Sequence, residues 1–307
     1  MGKNFLIVIV GPTAVGKTAL GIEVAKHLGT VILSADSRQF YKEMEVGTAK
    51  PTPEEQAQVF HYFVNTLHID EDYSVGKYEK DALVLLEKLF TDRSAVVMVG
   101  GSGLYVKAVC EGIDEMPEID HSIRERLNEI YKKSGLEPLV KRLYTEDPEY
   151  AELVDLKNPQ RVIRALEVIE SSGNTYTSYR NAVADVNRPF EIIRIGLEMP
   201  RDQLYHRIDK RMDMMIEAGL FEEAQSLYEK RHLNALQTVG YSEIFGYLEG
   251  EYDREEAIRL LKRNSRRYAK RQMTWFKKDT AINWFSTDRS NDILDWLSDQ
   301  LKIKDVN

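Results

Sequence analysis

The sequence predicts an α/β fold, in which a parallel β-sheet is flanked by helices and carries a mostly helical insertion. Short apolar runs rich in β-branched residues alternate with helical segments, which is typical of a doubly wound sheet. Between residues 117 and 172 the chain is charged and helical, without a strand-like run. We therefore expect an α/β core of residues 1–113 and 189–307, with residues 114–188 as an insertion domain.

The individual elements are predicted from local patterns. Continuously apolar runs are expected to be strands buried on both faces, and apolar residues three and four apart indicate helices that pack on the sheet. The predicted strands are Lys3–Val10, Val31–Leu33, Ala95–Val99, Phe190–Met199 and Ala281–Phe285, and the predicted helices are Ala19–Leu28, Val75–Phe90, Pro200–Gly219 and Arg254–Lys278.

Composition excludes several classes of protein. The chain has 307 residues and no run of 18 apolar residues, so we expect neither a membrane span nor a membrane partner. The first apolar run leads into a glycine-rich loop rather than a cleavage site, which favours a cytoplasmic protein over a secreted one. The single cysteine, Cys110, excludes an internal disulfide, and the six histidines lack the spacing of a zinc site.

Residues 11–18 fit the phosphate-loop pattern G-x-x-x-x-G-K-[ST], between a predicted strand and a predicted helix. The glycines allow successive backbone N–H groups to point at phosphate oxygens, at the positive end of the helix dipole. Lys17 supplies a positive charge, and the Thr18 hydroxyl is a candidate Mg²⁺ ligand. The pattern predicts a P-loop NTPase-like core that binds a polyphosphate through Gly11, Pro12, Thr13, Ala14, Val15, Gly16, Lys17 and Thr18.

The end of the predicted strand Ala95–Val99 argues against nucleotide hydrolysis. A hydrolase of this fold places an acidic residue there to order Mg²⁺ and water. Here the strand leads into Gly100-Gly101-Ser102-Gly103, which contains no acid. A group-transfer enzyme fits this strand end better than a hydrolase does.

Asp36 follows the predicted strand Val31–Leu33, where ligands of open α/β sheets bind. A carboxylate at this position either binds Mg²⁺ through water or accepts a proton from a nucleophile. The alternative is a helix N-cap, for which aspartate is strongly preferred. Position alone favours neither interpretation.

Charge is distributed unevenly along the chain. A net charge of −8 argues against a nucleic-acid partner, yet residues 259–278 contain nine Lys or Arg and no Asp or Glu. This basic segment is expected to contact RNA phosphates, unless salt bridges to the acidic remainder neutralise it. Within it, Arg267, Lys270 and Arg271 are equally compatible with contacts to a small diphosphate.

These residues, together with others along the chain, resemble the tRNA dimethylallyltransferase (tRNA isopentenyltransferase) family. The matching blocks follow the family's order and span nearly the whole chain. They are Gly11–Thr18, Asp36–Gln39 with Tyr41-Lys42, Gly47–Pro51, Gly100–Tyr105, Asn158–Arg161, Arg164–Glu167, Gly240–Glu243 and Ala269–Phe276.

The resemblance implies transfer of a dimethylallyl group from dimethylallyl diphosphate to N6 of adenosine 37, in tRNAs that read codons beginning with U. The phosphate loop would then bind the donor diphosphate, with Lys17 assisting its departure and Mg²⁺ bound by Thr18, together with Asp36 through water. Asp36 matches the family's general base. Ser102 matches a position, usually threonine, that contacts both the target base and the aspartate. A monomer is expected.

The resemblance also implies contacts to the anticodon stem-loop of tRNA. On the predicted helix that begins at Pro159, apolar residues face a core and leave the polar ones outward; residues alone favour a solvated basic face there. The residues matched to tRNA contacts are Asp36, Ser37, Arg38, Gln39, Ser102, Arg124, Pro159, Gln160, Arg161, Val162, Ile163 and Arg164.

Three rival functions share parts of this pattern. A small-molecule or nucleotide kinase has the same loop and sheet, but the block Asp36–Gln39 and the insertion argue against it. An enzyme that prenylates free adenylates would not need residues 158–161 or the basic segment 259–278. A non-catalytic RNA-binding module would have no use for Lys17 and Thr18 beside Asp36.

Overall fold

The computed structural model describes residues 3–180 and 186–306, and the chain forms two compact units. The first comprises residues 1–110 and 188–307, and the second comprises residues 111–187. The first unit contains six parallel strands in the order β3-β2-β4-β1-β5-β6. They are β1 (Phe5–Val10), β2 (Ile32–Ser34), β3 (His61–Tyr62), β4 (Ala95–Gly100), β5 (Glu191–Glu198) and β6 (Ile282–Ser286).

Helices account for most of the remaining structure. The first unit contains α1 (Lys17–His27), α2 (Pro53–Gln58), α3 (Val75–Leu89), α10 (Arg201–Glu217), α11 (Leu220–Ser226), α12 (Ser242–Leu248), α13 (Arg254–Phe276) and α14 (Ser290–Val306); α4 (Gly103–Glu111) leads out of it. The second unit contains α5 (His121–Ser134), α6 (Glu137–Glu146), α7 (Pro148–Leu153), α8 (Pro159–Ser172) and α9 (Tyr176–Tyr179). No helix in the described ranges meets the length and apolarity that crossing a bilayer requires.

The central strand β1 explains why the strands are so apolar. It pairs with β4 on one side and β5 on the other, so Ile9 lies beside both Val99 and Ile195. All six of its residues are buried, because helices cover both faces of a parallel sheet. The predicted parallel α/β fold is confirmed, and every predicted strand and helix is present within two residues of its expected bounds.

Elements missing from the sequence prediction are short or weakly patterned. Strand β3 has only two residues, which is too few for a period to be recognised. Helix α14 has a mixed polar sequence, yet Ile293 and Leu297 are buried against the α1 side of the sheet. Such segments acquire their structure from packing rather than from local preference.

An aromatic cluster supports the end of β2. Tyr78 of α3 is fully buried, and its ring stacks on Phe40 with centroids 5.4 Å apart. Its hydroxyl donates a 3.0 Å hydrogen bond to the carbonyl of Ser34, the last residue of β2. Tyr105 of α4 packs against both rings. The cluster therefore fixes the point at which the chain leaves the sheet.

The second unit has its own apolar core. Leu127, Leu143 and Leu166 from three different helices are fully buried together. A carboxylate, Asp147, is also buried there and accepts hydrogen bonds from the backbone N–H groups of Tyr150 and Thr177. It thereby caps α7 and connects it to α9.

We expect Tyr78→Phe to lower the free energy of unfolding by about 1 kcal/mol, because it removes the buried hydrogen bond to Ser34 and keeps the ring. Urea unfolding followed by circular dichroism measures the change. Val84→Ala on the exposed face of the same helix is the control and should change stability by less than about 0.5 kcal/mol. Equal stability of the Tyr78→Phe variant and the wild type would show that the hydrogen bond contributes nothing.

Candidate active site

The phosphate loop joins β1 to α1, directly beyond the carboxyl end of the central strand. Gly11 and Gly16 have φ angles of 149° and 112°, which glycine adopts without steric cost. Gly16 immediately precedes the first turn of α1, so the loop ends at the positive end of a helix dipole. The loop therefore has the geometry of an anion-binding site.

Lys17 extends back over this loop, and its amine donates a 2.9 Å hydrogen bond to the carbonyl of Pro12. Burial and then the charge of Arg211 lower the pKa of the Lys17 amine to about 8, and the charge of Asp36 opposes this shift. A desolvated cation held between a second cation and a carboxylate is well placed to bind an anionic ligand.

A cavity of about 550 Å³ opens between the loop, the ends of β2 and β4, and helix α10. Lys17, Thr18, Asp36 and Gln39 line it, as does Arg211. A smaller cavity of about 90 Å³ shares Asp36 and Arg211 with the larger one. The Asp36 residue therefore borders two adjoining spaces, one beside the phosphate loop and one beside α13.

Asp36 lies in a turn after β2, and one of its carboxylate oxygens accepts a 3.0 Å hydrogen bond from the backbone N–H of Arg38. The residues that follow form a turn rather than a helix, so the helix N-cap interpretation is wrong. The position beyond the end of β2 directs this residue to the cavities, as parallel-sheet geometry predicts.

Ser102 stabilises this turn from the end of β4. Its hydroxyl accepts a 3.0 Å hydrogen bond from the backbone N–H of Ser37 and donates to the Ser37 hydroxyl. The hydroxyl of Tyr268 on α13 also contacts Ser102, and burial raises the pKa of Tyr268 to about 12. Ser102 thus positions the neighbour of Asp36 and connects β4, the turn and α13.

Gln39 and Arg38 complete the turn. The Gln39 side chain accepts from the Ser34 hydroxyl at 2.9 Å and donates to the carbonyl of Ala49 at 3.2 Å, and it lines the larger cavity. Arg38 lines the smaller cavity. Of the four residues predicted to bind tRNA at this turn, Asp36, Arg38 and Gln39 line the cavities, whereas Ser37 forms hydrogen bonds with Ser102.

Helix α10 contributes three cations that the sequence analysis did not assign to the site. Arg207, Lys210 and Arg211 all line the larger cavity. Arg211 also donates a hydrogen bond to the hydroxyl of Thr13 in the phosphate loop. The sequence did contain a signal for these cations. They are spaced three and four residues apart, which places them on one face of the helix, offset from the buried residues Ile208 and Met212.

The basic segment of α13 is partly neutralised within the protein. Four of its nine cations pair with nearby carboxylates, among them Arg266 with Asp209 at 2.5 Å; the other three are Arg259, Lys262 and Lys277. In the part of the chain that the structure describes, Arg267, Lys270 and Arg271 form no ion pair. The salt-bridge explanation therefore holds for four of the cations, and contact of Arg267, Lys270 and Arg271 with RNA or diphosphate stays a prediction.

In the second unit, Pro159 opens α8, and Asn158 caps that helix by accepting a hydrogen bond from the backbone N–H of Arg161. Gln160 and Arg161 are exposed, whereas Val162 and Ile163 are 0% and 2% exposed in the core of the unit. The side chains of Val162 and Ile163 therefore anchor the helix, and the contribution of these two positions to tRNA binding stays a prediction.

Arg124 and Arg164 both bind the buried carboxylate of Glu167 on α8. Arg124 contacts both carboxylate oxygens, and the Arg164 guanidinium lies 3.5 Å from one of them. Both arginines remain partly exposed, with side chains 43% and 38% accessible. A single buried carboxylate thus orients two guanidinium groups at the surface of this unit.

The residues of the larger cavity fit a magnesium ion that is shared with a phosphate ligand. Thr18 and Asp36 both line it, and oxygen ligands are those that Mg²⁺ prefers. Among the described residues there is no group of three His, Cys, Asp or Glu that could hold a metal unaided. Mg²⁺ usually combines one or two protein oxygens with water and phosphate oxygens, which agrees with this arrangement.

Comparison with known proteins identifies relatives along the whole chain. The family described as IPP transferase matches residues 39–279. A protein of Cytophaga hutchinsonii named tRNA dimethylallyltransferase is 52% identical over 300 residues, which cover 98% of each chain. Its namesake in Christiangramia forsetii is 49% identical over 97% of this chain and 99% of its own.

Solved structures agree with these relatives. The full-length tRNA isopentenylpyrophosphate transferase of Bacillus halodurans is 37% identical, with a TM-score of 0.73 and 98% coverage of both chains. A eukaryotic dimethylallyltransferase acting on tRNA shares the fold, with a TM-score of 0.78 over 96% of this chain and 80% of its own, at 22% identity. From the phosphate loop to α13, the chain belongs to the IPP transferase family, the family of the tRNA dimethylallyltransferases.

Proposed function

We propose that this protein transfers the dimethylallyl group of dimethylallyl diphosphate to N6 of adenosine 37, in tRNAs that read codons beginning with U. The products are N6-isopentenyladenosine and diphosphate. Membership of the IPP transferase family supports tRNA prenylation. The observation that carries the proposal is the shared cavity, in which the Asp36 carboxylate faces the same space as the phosphate loop and Lys17.

The donor diphosphate would bind where cations and backbone N–H groups converge. Lys17, Arg211 and the amides of residues 11–18 are available to it, and Thr18 with Asp36 would hold Mg²⁺. When bound, Mg²⁺ supplies additional positive charge beside the leaving group. As the carbon–oxygen bond breaks, the cations stabilise the negative charge that develops on the departing diphosphate.

The acceptor amine requires a base, because an exocyclic adenine nitrogen is a poor nucleophile. As N6 forms its bond to the allylic carbon, one N6 proton passes to the Asp36 carboxylate. The hydrogen bonds of Ser102 to Ser37 fix the turn that carries this carboxylate. The smaller cavity on the other side of Asp36 provides a second approach to the same group.

Adenosine 37 must leave the anticodon stack to reach this carboxylate. Unstacking costs a few kcal/mol and is cheapest in a single-stranded loop. The exposed Gln160 and Arg161, together with Arg124 and Arg164, offer contacts for such a loop. The proposed tRNA substrate favours activity in the cytoplasm, and the proposed residues all lie in one chain, which favours a monomer.

Incubation with labelled dimethylallyl diphosphate, Mg²⁺ and either an anticodon stem-loop or AMP tests this function directly. We expect label in the RNA alone, at the adenosine that follows the anticodon. Label in AMP alone would identify an adenylate prenyltransferase. In a parallel reaction with ATP in place of the prenyl donor, transfer of phosphate to either acceptor would identify a kinase. Either result would overturn the proposal.

We expect Asp36→Asn to lower the transfer rate about 10²- to 10⁴-fold, because the amide keeps the shape of the side chain but cannot accept the proton. Single-turnover transfer of label to the stem-loop measures the rate, and fluorescence anisotropy measures RNA binding. RNA affinity should change little. The exposed Asp70→Asn serves as the control and should behave as the wild type. Weak RNA binding with normal turnover of bound RNA would contradict the base assignment.

We expect Arg161→Ala to weaken tRNA binding and leave the affinity for dimethylallyl diphosphate unchanged, since the exposed guanidinium lies in the second unit. If it contacts a phosphate, the slope of log affinity against log salt concentration should fall by about 1. Lys141→Ala, an exposed cation of the same unit, is the matched control. Equal slopes for the Arg161→Ala variant and the wild type would show that Arg161 does not contact phosphate.

A further inference from the structure

Gln272 of α13 lies between the phosphate loop and the end of β4, and it is only 6% exposed. Its side-chain oxygen accepts a 2.8 Å hydrogen bond from the backbone N–H of Thr13. Its side-chain nitrogen donates a 3.0 Å hydrogen bond to the carbonyl of Gly101. One buried amide therefore connects two loops, at residues 13 and 101, to α13.

The orientation of this amide follows from its partners. The Thr13 N–H is only a donor and must face the oxygen, and the Gly101 carbonyl is only an acceptor and must face the nitrogen. A buried amide with both ends satisfied is held firmly, because rotating it would leave two buried polar groups unpaired. Gln272 is therefore a rigid connection rather than a mobile side chain.

Thr13 is held at its side chain as well as at its backbone. The guanidinium of Arg211 donates to its hydroxyl, while Gln272 accepts from its N–H. The adjacent residue, Ala14, has a φ of 65°, a conformation that non-glycine residues rarely adopt without support. The contacts to Thr13 support this conformation of Ala14. Both residues line the larger cavity.

The contact with Gln272 requires glycine at position 101. A Cβ atom built at this position would collide with the side-chain nitrogen of Gln272. The backbone of Gly101 lies outside the positive-φ region, so close approach and not backbone conformation demands glycine here. The glycine therefore permits the Gln272 amide to reach the loop.

We propose that Gln272 is a positioning residue for the diphosphate donor, which holds the phosphate loop in its binding conformation through Thr13 and Gly101. A loop that is ordered before the ligand arrives loses less conformational entropy on binding, and this raises affinity. The identity of the donor rests on the proposed function. The effect of Gln272 on the phosphate loop does not, because inorganic diphosphate probes that loop without any prenyl group.

The first experiment measures binding of inorganic diphosphate and of dimethylallyl diphosphate, each with Mg²⁺, by titration calorimetry. We expect Gln272→Ala to weaken both about tenfold, the effect of leaving one buried N–H of the loop unpaired. Gln225→Ala, at an exposed glutamine of α11, is the matched control and should leave both affinities unchanged. Wild-type affinity for diphosphate in the Gln272→Ala variant would overturn the proposal.

Steady-state transfer separates positioning from general damage. The KM for dimethylallyl diphosphate should rise about tenfold, whereas kcat at saturating donor and the KM for the stem-loop should stay within about twofold. A variant that merely loses structure would lower kcat and the fraction of active protein instead. If Gln272→Ala fails to fold, Gln272→Met, which keeps the volume and removes both hydrogen bonds, replaces it. A fall in kcat without a change in donor KM would contradict the proposal.

A double-mutant cycle tests the connection to Gly101. Gly101→Ala should weaken diphosphate binding about tenfold in the wild type, because the added methyl group displaces the Gln272 amide. In the Gln272→Ala background the same change should have little further effect. Independent, additive losses would show that Gly101 acts on the loop without Gln272.

If the wild type binds diphosphate but prenylates no RNA, the proposed function fails while these binding results still decide the role of Gln272.

Discussion

The central physical constraint in this structure is the concentration of positive charge around one cavity. Lys17 and Arg211 are both desolvated there, which lowers the pKa of each, and the carboxylate of Asp36 opposes that shift. Arg207 and Lys210 add further charge at the cavity wall. Four cations face one partly exposed carboxylate, so the cavity favours a ligand with several negative charges. The diphosphate of the proposed donor would satisfy this requirement.

The groups around this cavity come from distant parts of the chain. The phosphate loop and the turn after β2 lie near the beginning, whereas α10 and α13 follow the inserted second unit. The hydrogen bond between Thr13 and Gln272 joins residues 259 positions apart. The site is therefore assembled only when the last strands and helices have docked on the sheet.

The second unit follows a different principle, because its proposed RNA-binding surface is built on a small core of its own. Val162 and Ile163 bury the inner face of α8, and Glu167 on the same helix holds Arg124 and Arg164. The buried carboxylate offsets part of the positive charge of these two arginines and restricts their orientations. Oriented guanidinium groups suit the recognition of phosphates at defined positions better than mobile ones.

Sequence by itself determined the parallel sheet, the phosphate loop, the position of Asp36 and the family, because each depends on local periodicity or on a contiguous motif. Tertiary structure alone decided that Asp36 caps no helix, that Val162 and Ile163 are buried, and that α10 contributes cations to the cavity. It also decided the role of Gln272, whose partners are separated from it by most of the chain. Burial and long-range hydrogen bonds depend on which faces meet in the folded protein, and a linear pattern does not encode that pairing.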